Sequence, residues 1–565
     1  MSGERRPPRF PLAADEPNPL EAVTLGALVA AGVLTALLWA TGEVAGRLFG
    51  GQWPSAGLSD MGAVLAHLPA HLRDPAAAWP ADPRLLLPGP AGFYGTMAVL
   101  LLPGLTLALI YARRRGRRRQ PATAARWARP RDLKPLRIRT AAPGRLTLGV
   151  VDGRLVAVEP RQSVIVVGPV QTGKTSGFAV PAILEWKGPV VATSVKTDLM
   201  RDTLVARERL GHVWIYDPTR TTGMPGSGWT PLSSCSTWTG AQQVAAWLVA
   251  AAHRGNAGVE NAEFWYAAAA KLLAPVLFAA AMSDATMADV VRWIDTQEQE
   301  EVFAALDETG EDAAVTAFQA SSQRDERTRS GVYTTAETVL AAYADPGVLA
   351  SALTSELRAE RLLDGGSHTA YLCAPAHEQR RLQPLFATLV QEIVAGAYER
   401  SAGTGKPLDP PLLLVLDECA NIAPLRELAT LASTGAGQGI QLVSVFQDMA
   451  QINAVYGRDH APTIVSNHRA KVILSGIADA QTLDYVARLL GDEEIRQTSS
   501  TTGAEGRRST TQSVAYRSIA PANVLREMKP GHGLLVYGHL APARISLRPW
   551  FEDRRLRKIA SAAVA

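Results

Sequence analysis

The stretch GPVQTGKT at positions 168–175 constrains the fold of this chain more than any other feature. Two glycines stand five residues apart, lysine and threonine follow, and the apolar run SVIVV (163–167) comes directly before. Glycines at these positions let successive backbone N–H groups converge on phosphate oxygens without obstruction by Cβ atoms. Because an apolar strand pattern precedes the stretch and a helix is predicted from near Ser176, it predicts a phosphate-binding loop rather than an ordinary glycine-rich turn.

The predicted nucleotide-binding residues form one continuous segment. They are Gly168, Pro169, Val170, Gln171, Thr172, Gly173, Lys174, Thr175 and Ser176. We expect the Lys174 ammonium to reach the β- and γ-phosphates of ATP, and the Thr175 hydroxyl to ligate Mg²⁺. ATP and Mg²⁺ are therefore the predicted cofactors.

A nucleoside triphosphatase of this class also needs carboxylates at the end of a second strand. The segment LLLVLDE (412–418) supplies them as Asp417 and Glu418. We expect Asp417 to hold the magnesium ion through water and Glu418 to polarise the attacking water as general base. The apolar run IQLVSVF ends at Gln447, whose amide is predicted to contact the γ-phosphate or its water. The alternative is a glutamine at a helix start without a catalytic role.

Short apolar runs alternate with helical segments beyond residue 139. The runs that predict strands are 163–167, 189–193, 212–217, 369–374, 412–417, 440–446, 470–474 and 533–537. Nearly continuous apolar runs are typical of parallel strands buried on both faces, so the pattern predicts a doubly wound α/β fold. Alanine-rich periodic segments without a strand pattern predict an all-α insertion at 237–344. The polar stretch 498–513 lacks periodicity and is predicted to be a mobile loop.

Two uncharged stretches near the N terminus are long enough to cross a membrane. Ala22–Gly42 has 21 residues and Leu85–Tyr111 has 27, whereas a bilayer core needs about 20. The first could instead be a cleaved signal peptide, but a second span follows it. Arginine-rich flanks before the first span and at 113–119 predict that both termini are cytoplasmic and that the loop 43–84 lies outside.

The basic charge of the chain is concentrated in one segment. Residues 113–139 contain eleven arginines and one lysine against a single acidic residue. Because the whole chain has a net charge of +4, the rest carries −7, which argues against a surface coated with DNA. We expect the segment to contact anionic lipid headgroups, with nucleic-acid contact as the alternative. The three cysteines are far apart and predict neither a disulfide framework nor a zinc site.

Several segments resemble the coupling proteins of type IV secretion and conjugation, the TraG/TraD-like ATPases. They are GPVQTGKTSGFAVPAILEWKGPVVATSVKTDL, HVWIYDPT with GWTPL, LLLVLDECANIAPLRELATLASTGAGQGIQLVSVFQDMAQI and GDEEIRQTSS. The resemblance implies a RecA-like P-loop NTPase of the α/β class with an inserted all-α domain and two N-terminal transmembrane helices. It also implies a plasma-membrane homo-hexamer that delivers DNA, often bound to a relaxase, to a secretion channel. The family's catalytic roles carry over to Lys174, Asp417, Glu418 and Gln447.

Together these patterns divide the chain into nine predicted segments. They are a cytoplasmic tail (1–21), transmembrane helix 1 (22–42), an extracytoplasmic loop (43–84), transmembrane helix 2 (85–111), a basic juxtamembrane segment (112–140), the first part of the ATPase domain (141–236), the all-α domain (237–344), the second part of the ATPase domain (345–550) and a C-terminal tail (551–565).

One position departs from the family pattern. Many members carry an arginine eleven residues before the glutamine, which acts as a finger into the neighbouring subunit's site, and Ala436 stands there in this chain. Arg469 is the candidate substitute, with a structural ion pair as the alternative. In SVKTDL, Lys196 and Asp198 either contact phosphate or cap a helix.

The leading functional prediction is an ATPase that couples ATP hydrolysis to conjugative DNA transfer. A DNA pump of the FtsK type usually carries a C-terminal winged-helix reader, and no equivalent segment follows Trp550. A secretion ATPase that recruits protein alone stays open, because the all-α region carries no readable cargo code. The intact lysine, aspartate and glutamate disfavour a scaffold that does not hydrolyse ATP.

Overall fold

The computed structural model describes residues 19–117, 124–253, 261–502 and 508–561. The chain divides into two compact units, Met1–Thr123 and Ala124–Ala565.

The N-terminal unit contains two long helices and a short helical connection. Its α-helices are α1 (Pro19–Phe49), α2 (Met61–His67), α3 (Ala81–Arg84) and α4 (Pro90–Arg117), with 3₁₀ turns at Leu58–Asp60, Leu68–His71 and Pro75–Ala78. A small core joins them, in which Trp79 and Phe93 are buried with Met61. The Trp79 ring lies so close to Gly42 that a Cβ there would come within 2.0 Å of it, so glycine is required.

An eleven-stranded sheet is the centre of the second unit. The chain's strands are β1 (Thr147–Val151), β2 (Arg154–Ala157), β3 (Val164–Val167), β4 (Val190–Ser194), β5 (Val213–Tyr216), β6 (Thr369–Cys373), β7 (Leu412–Leu416), β8 (Ile440–Phe446), β9 (Ala470–Leu474), β10 (Asp492–Thr502), β11 (Arg508–Ser518), β12 (His532–Tyr537) and β13 (Ala543–Ser546). The order in the sheet is β2-β1-β13-β12-β9-β3-β8-β7-β4-β6-β5.

The seven strands from β9 to β5 are parallel, and the remaining four pair antiparallel at the other side. Each of the eight predicted apolar runs forms a strand of this sheet. The sheet also contains β1, β2 and β13, which the apolar runs did not predict. Parallel strands place their carboxyl ends at one edge, where ligands of doubly wound folds bind.

The prediction of a mobile loop at 498–513 is wrong for residues 498–502 and 508–513, which lie in strands, whereas residues 503–507 lie outside the described residues. Strands β10 and β11 form a regular antiparallel ribbon, with Asp492 opposite Ser518 and Thr502 opposite Arg508. Side chains on both faces of this ribbon are exposed, among them Thr498, Ser499 and Gln512. A strand without a buried face needs no alternation of apolar and polar residues, so periodicity could not reveal it.

Helices cover both faces of the sheet. Those of the second unit are α5 (Val180–Glu185), α6 (Asp198–Glu208), α7 (Trp238–Ala252), α8 (Ala262–Met282), α9 (Met287–Asp295), α10 (Glu300–Asp307), α11 (Asp312–Ser322), α12 (Glu326–Leu340), α13 (Pro346–Ser351), α14 (Ala359–Leu362), α15 (Gln379–Thr404), α16 (Cys419–Ile422), α17 (Leu428–Gln438), α18 (Met449–Tyr456), α19 (Ala461–Asn467), α20 (Ala480–Leu490), α21 (Ala522–Arg526) and α22 (Arg554–Ser561). Between β5 and β6, the described residues 217–253 and 261–368 contain no strand.

Helix α8 is the centre of this helical region. Among the residues whose side chains the structure describes, it is the one helix long and apolar enough to cross a membrane by composition alone. Of its most apolar stretch, 61% is buried inside the protein, against the neighbouring helices α7, α11 and α12. Its apolar character is therefore that of a core helix, as the presence of Lys271 and Pro275 within it predicts.

The helical region and the sheet share one hydrophobic core. Tyr216 at the end of β5 makes edge contacts with Trp229 and with Phe386 of α15. The indole N–H of Trp229 donates to Glu392 Oε2 at 3.0 Å, and both residues are buried. The helical region is thus continuous with the face of the sheet that it covers, and its removal would expose that face to water.

We expect replacement of Glu392 by glutamine to stabilise the protein at pH 8. Burial raises the pKa of Glu392 to about 7, against the opposing hydrogen bond from Trp229. The folded protein therefore retains a proton that the unfolded chain releases, and stability is lost as the pH rises from about 4.5 to 7. Glutamine keeps an acceptor for Trp229 without the charge.

The variant's gain in the free energy of unfolding at pH 8 should be on the order of 3 kcal/mol, because one pKa unit corresponds to about 1.4 kcal/mol. Thermal unfolding of both proteins at pH 8 and pH 4.5 measures it, and the difference should nearly vanish at the lower pH. An equal difference at both values would contradict a charge effect.

Candidate nucleotide-binding site

The predicted phosphate loop follows β3 at the carboxyl edge of the sheet and leads into a wide helical turn, Thr175–Ala179. Gly173 has a φ of +87°, which L side chains rarely adopt. A Cβ on Gly168 would lie 2.8 Å from Leu474 Cβ, so only glycine fits there. Gln171 has a positive φ as well, whereas Val170 is 66% exposed. The loop thus has the strained, glycine-dependent backbone of an anion cradle.

Lys174 points back across the loop. Its Nζ donates to the carbonyl oxygens of Gly168 and Pro169, each at 2.6 Å. Burial lowers the pKa of Lys174, and the charges of Asp417 and Glu418 oppose that shift. The ammonium is therefore held at the loop, next to the acidic pair.

Asp417 directly follows β7 and meets the phosphate loop. Its Oδ2 accepts a hydrogen bond from the Thr175 hydroxyl at 2.9 Å, and its backbone carbonyl accepts one from Thr193 Oγ at 2.9 Å. Burial raises the pKa of Asp417 to about 6, the Thr175 hydrogen bond lowers it, and the charge of Glu418 raises it further. A nearby divalent cation would favour the ionised carboxylate over this desolvation cost.

Glu418 is held in an unusual backbone conformation. Its φ of +54° is in the left-handed region, and it stands directly before the short helix α16. The side-chain amide of Asn421 donates to Glu418 Oε2 at 2.9 Å. A non-glycine residue in this region is a strain that typically occurs at functional sites.

Gln447 lies at the same edge of the sheet, at the end of β8, which runs between β3 and β7. Val167 of β3 is paired with Phe446 of β8, and Gly168 N–H donates to the Phe446 carbonyl at 3.1 Å. Gln447 follows immediately and is half-buried, and its backbone N–H donates to Gln451 Oε1 at 2.9 Å. The fold therefore brings Gln447 beside the phosphate loop.

The residues at this edge suit a magnesium–nucleotide complex. A hydroxyl and a carboxylate, those of Thr175 and Asp417, lie within hydrogen-bond distance of each other, and hard oxygen ligands of this kind are those that Mg²⁺ prefers. The ammonium of Lys174 and the backbone of the loop supply the positive charge and N–H donors that phosphates need.

The structure does not bring Arg469 to this edge. Arg469 comes directly before β9 and therefore lies at the amino edge of the sheet. Ala436 lies near the end of α17, before β8, and so is on the same side. Its guanidinium pairs with Glu159 at 3.4 Å and lies 5.4 Å from the centroid of the Tyr537 ring. These contacts favour the structural ion pair over the finger.

The SVKTDL segment has the geometry of a helix start. Asp198 lies in the first turn of α6 and accepts a hydrogen bond from the Leu199 N–H, while Lys196 is exposed. The charge of Asp198 also contributes to the raised pKa of Asp417. Its contacts favour the capping interpretation for Asp198.

A sequence profile of the family described as type IV secretory system conjugative DNA transfer matches residues 122–563. The chain belongs to this family. Curated relatives include the conjugal transfer protein TraG of Escherichia coli, 26% identical over 404 residues (65% of this chain, 62% of TraG), and VirD4 of Agrobacterium fabrum, 24% identical over 413 residues (70% of this chain, 59% of VirD4). The chain thus spans about three fifths of the length of these relatives.

Solved structures of the coupling protein TrwB resemble the fold. TrwB in complex with ADP and Mg²⁺ superposes with a TM-score of 0.58 at 18% identity, over 75% of this chain and 94% of TrwB. Unbound TrwB gives a TM-score of 0.59 at 17% identity, over 75% of this chain and 92% of TrwB. The fold is therefore RecA-like and of the predicted α/β class, although the sheet is mixed because β1, β2, β12 and β13 pair antiparallel.

Three polar contacts of the site are not readable from the family motifs. Thr193 supports the backbone at Asp417, Asn421 holds Glu418, and Gln451 holds the backbone of Gln447. Asn421 stands three residues after Glu418, and that spacing at a helix start is the signal that could have identified it. The other two contacts depend on strand pairing or on a loop conformation that the sequence does not specify.

Proposed function

We propose that this chain is a membrane-anchored ATPase that couples ATP hydrolysis to conjugative DNA transfer through a type IV secretion-like channel. The observation that carries the proposal is the 2.9 Å contact between the Thr175 hydroxyl and Asp417, which joins the phosphate loop to the acidic pair. The family membership supports the coupling to DNA transfer.

The site residues act in the roles that their chemistry allows. Lys174 and backbone N–H groups of the loop hold the phosphates, while Thr175 and Asp417 would hold Mg²⁺, in the latter case through water. When bound, the ion offsets charge on the β- and γ-phosphates. Glu418 accepts the proton of the attacking water, and Gln447 orients that water or contacts the γ-phosphate. TrwB binds ADP with Mg²⁺ and the analogue ADPNP, which supports nucleotide binding here.

Membrane anchoring rests on the N-terminal unit. Helices α1 and α4 have 31 and 28 residues, or about 46 and 42 Å at 1.5 Å per residue, against a hydrocarbon core of about 30 Å. Val33, Val99 and Leu105 on these helices are each at least 60% exposed, as expected of side chains that face lipid. We therefore propose transmembrane helices within the predicted spans 22–42 and 85–111, the second of which is helical only from Pro90 onward, and a plasma-membrane location.

The remaining predicted features belong to the same proposal. The helical region between β5 and β6 acts as the all-α domain, 237–344, inserted between the two parts of the ATPase domain at 141–236 and 345–550. The basic segment 112–140 lies at the membrane surface. The active form is a homo-hexamer whose partners are DNA, a relaxase and components of the secretion channel.

We expect both termini of the chain to be cytoplasmic, because the arginine-rich flanks of the two spans lie on that side. A phosphatase that is active only outside the cytoplasm should be active when inserted within the loop 43–84 and inactive when fused after Ala565. A fluorescent protein that folds only in the cytoplasm should give the inverse pattern. Phosphatase activity after Ala565 would contradict this topology.

ATP turnover by the full chain in lipid nanodiscs tests the function. The proposal expects Mg²⁺-dependent hydrolysis that single- or double-stranded DNA accelerates. Hydrolysis that a protein substrate accelerates and DNA does not would favour an ATPase for protein secretion alone. No hydrolysis under any condition would contradict the proposal.

A further inference from the structure

A segment near the C terminus runs along the helical turn that follows the phosphate loop. We call Leu547, Arg548, Pro549 and Trp550 segment 547–550; it directly follows β13. The backbone N–H of Arg548 donates to the Gly177 carbonyl at 3.3 Å, and that of Trp550 donates to the Ser176 carbonyl at 3.0 Å. The segment thus bonds to the backbone of the nucleotide site itself.

One N–H is missing among the helical donors that could serve these two carbonyls. Thr175–Ala179 is a π-helical turn, in which the Val180 N–H donates to the Thr175 carbonyl five residues back. The N–H of residue 181 would donate to the Gly177 carbonyl in an α-helix, four residues back, or to the Ser176 carbonyl in a π-helix, five residues back. Residue 181 is a proline, however, and has no N–H. Pro181 therefore removes one helical donor from this turn, and segment 547–550 donates to both carbonyls.

Side-chain packing brings the segment against the glycines of the loop. Leu547 is buried, and its Cβ lies 3.0 Å from the position that a Cβ on Gly177 would occupy. Its Cδ1 lies 3.6 Å from the corresponding position on Gly173. Leu547 therefore lies beside both glycines, and a side chain at position 177 would crowd it.

Charged groups fix the segment to the helices on either side. The Arg548 guanidinium donates to both carboxylate oxygens of Glu185, at 3.0 to 3.1 Å, and to Asp553 at 2.8 Å. The side chains of Arg548 and Glu185 are only 10% and 6% exposed. The Trp550 indole N–H donates to Asp202 of α6 at 3.1 Å. The segment thus joins the end of α5, the start of α22 and α6.

We propose that segment 547–550, through Arg548, is a positioning element of the magnesium site. Thr175 is the first residue of the turn that the segment holds, so the segment fixes the Thr175 hydroxyl against Asp417. This inference rests on the proposed function of the site, and it adds a role for residues that lie outside every predicted motif. Arg548 acts through the turn and contacts no nucleotide.

Binding of ADP to the full chain, with Mg²⁺ and with EDTA in its place, tests the proposal. Arg548→Gln should weaken binding in Mg²⁺ about 10- to 100-fold, the usual cost of losing a residue that orients a metal ligand. Binding in EDTA should change less than about threefold. Glu185→Gln, which keeps the shape of the pair and loses one charge, should weaken binding in the same direction by less. Arg554→Gln, on the exposed side of α22, is the matched control.

The outcomes separate this proposal from the proposed function. Equal loss of ADP binding with and without Mg²⁺ in both variants would reduce the segment to a structural support and overturn the proposal. Unchanged binding in a variant that melts like the parent would overturn it as well. If the parent binds Mg²⁺–ADP without hydrolysing ATP in the same preparation, the proposed function fails while the test of the segment still stands.

Discussion

Glu418→Gln is expected to lower ATP turnover by about 10² to 10⁴-fold while leaving ATP binding intact. Glutamine is isosteric with glutamate but cannot accept a proton from the attacking water, and general-base catalysis typically contributes this factor. The amide can still bond to Asn421, so the backbone at the start of α16 should keep its conformation. Steady-state hydrolysis and fluorescent-nucleotide binding measure the two quantities separately.

The matched control for this variant is Glu399→Gln. Glu399 is an exposed glutamate on α15, and its replacement makes the same chemical change at a position outside the site. Turnover of the control should stay within about twofold of the parent. Parental turnover by Glu418→Gln would remove Glu418 as the general base.

We expect Lys174→Ala to lower the rate of ATP hydrolysis at least 10²-fold below that of the parent. The variant should also weaken ATP binding more than ADP binding. Removal of one preorganised donor from developing charge costs about 10² to 10³ in rate, and Lys174 is predicted to contact the γ-phosphate. In the structure its ammonium bonds to the carbonyls of Gly168 and Pro169, so the variant also frees two backbone acceptors of the loop.

Lys187→Ala is the control for this variant, because Lys187 is exposed just after α5. Its thermal unfolding and its affinity for ATP should match those of the parent. If Lys174→Ala melts like the parent and binds ATP and ADP with parental affinities, the loop does not hold phosphate as we infer.

The core of this site was predictable because each part combines a local motif with a strand of strong apolar character. The glycines of 168–173 and the acidic pair at 417–418 each follow a continuous apolar run, and parallel strands place such positions at one edge. Gln447 lies at the same edge, because β8 lies between β3 and β7.

Two features of the structure could not be predicted from the sequence, each for a physical reason. None of the ribbon side chains that the structure describes, in β10 and β11, is buried, so the ribbon needs no apolar alternation. Segment 547–550 meets the phosphate loop across more than 360 residues of chain, through backbone N–H groups that carry no residue signature. Pro181, which removes one helical N–H donor from the turn, is visible in the sequence, but its consequence depends on the helical register.

The transfer of DNA by donor cells whose only copy of this chain carries Glu418→Gln tests the central claim most directly. The account predicts that the transfer frequency falls at least 10²-fold with the protein present at parental levels in the membrane, while Glu399→Gln donors transfer normally. Parental transfer by the Glu418→Gln donors would contradict the claim that ATP hydrolysis at this site drives conjugative DNA transfer.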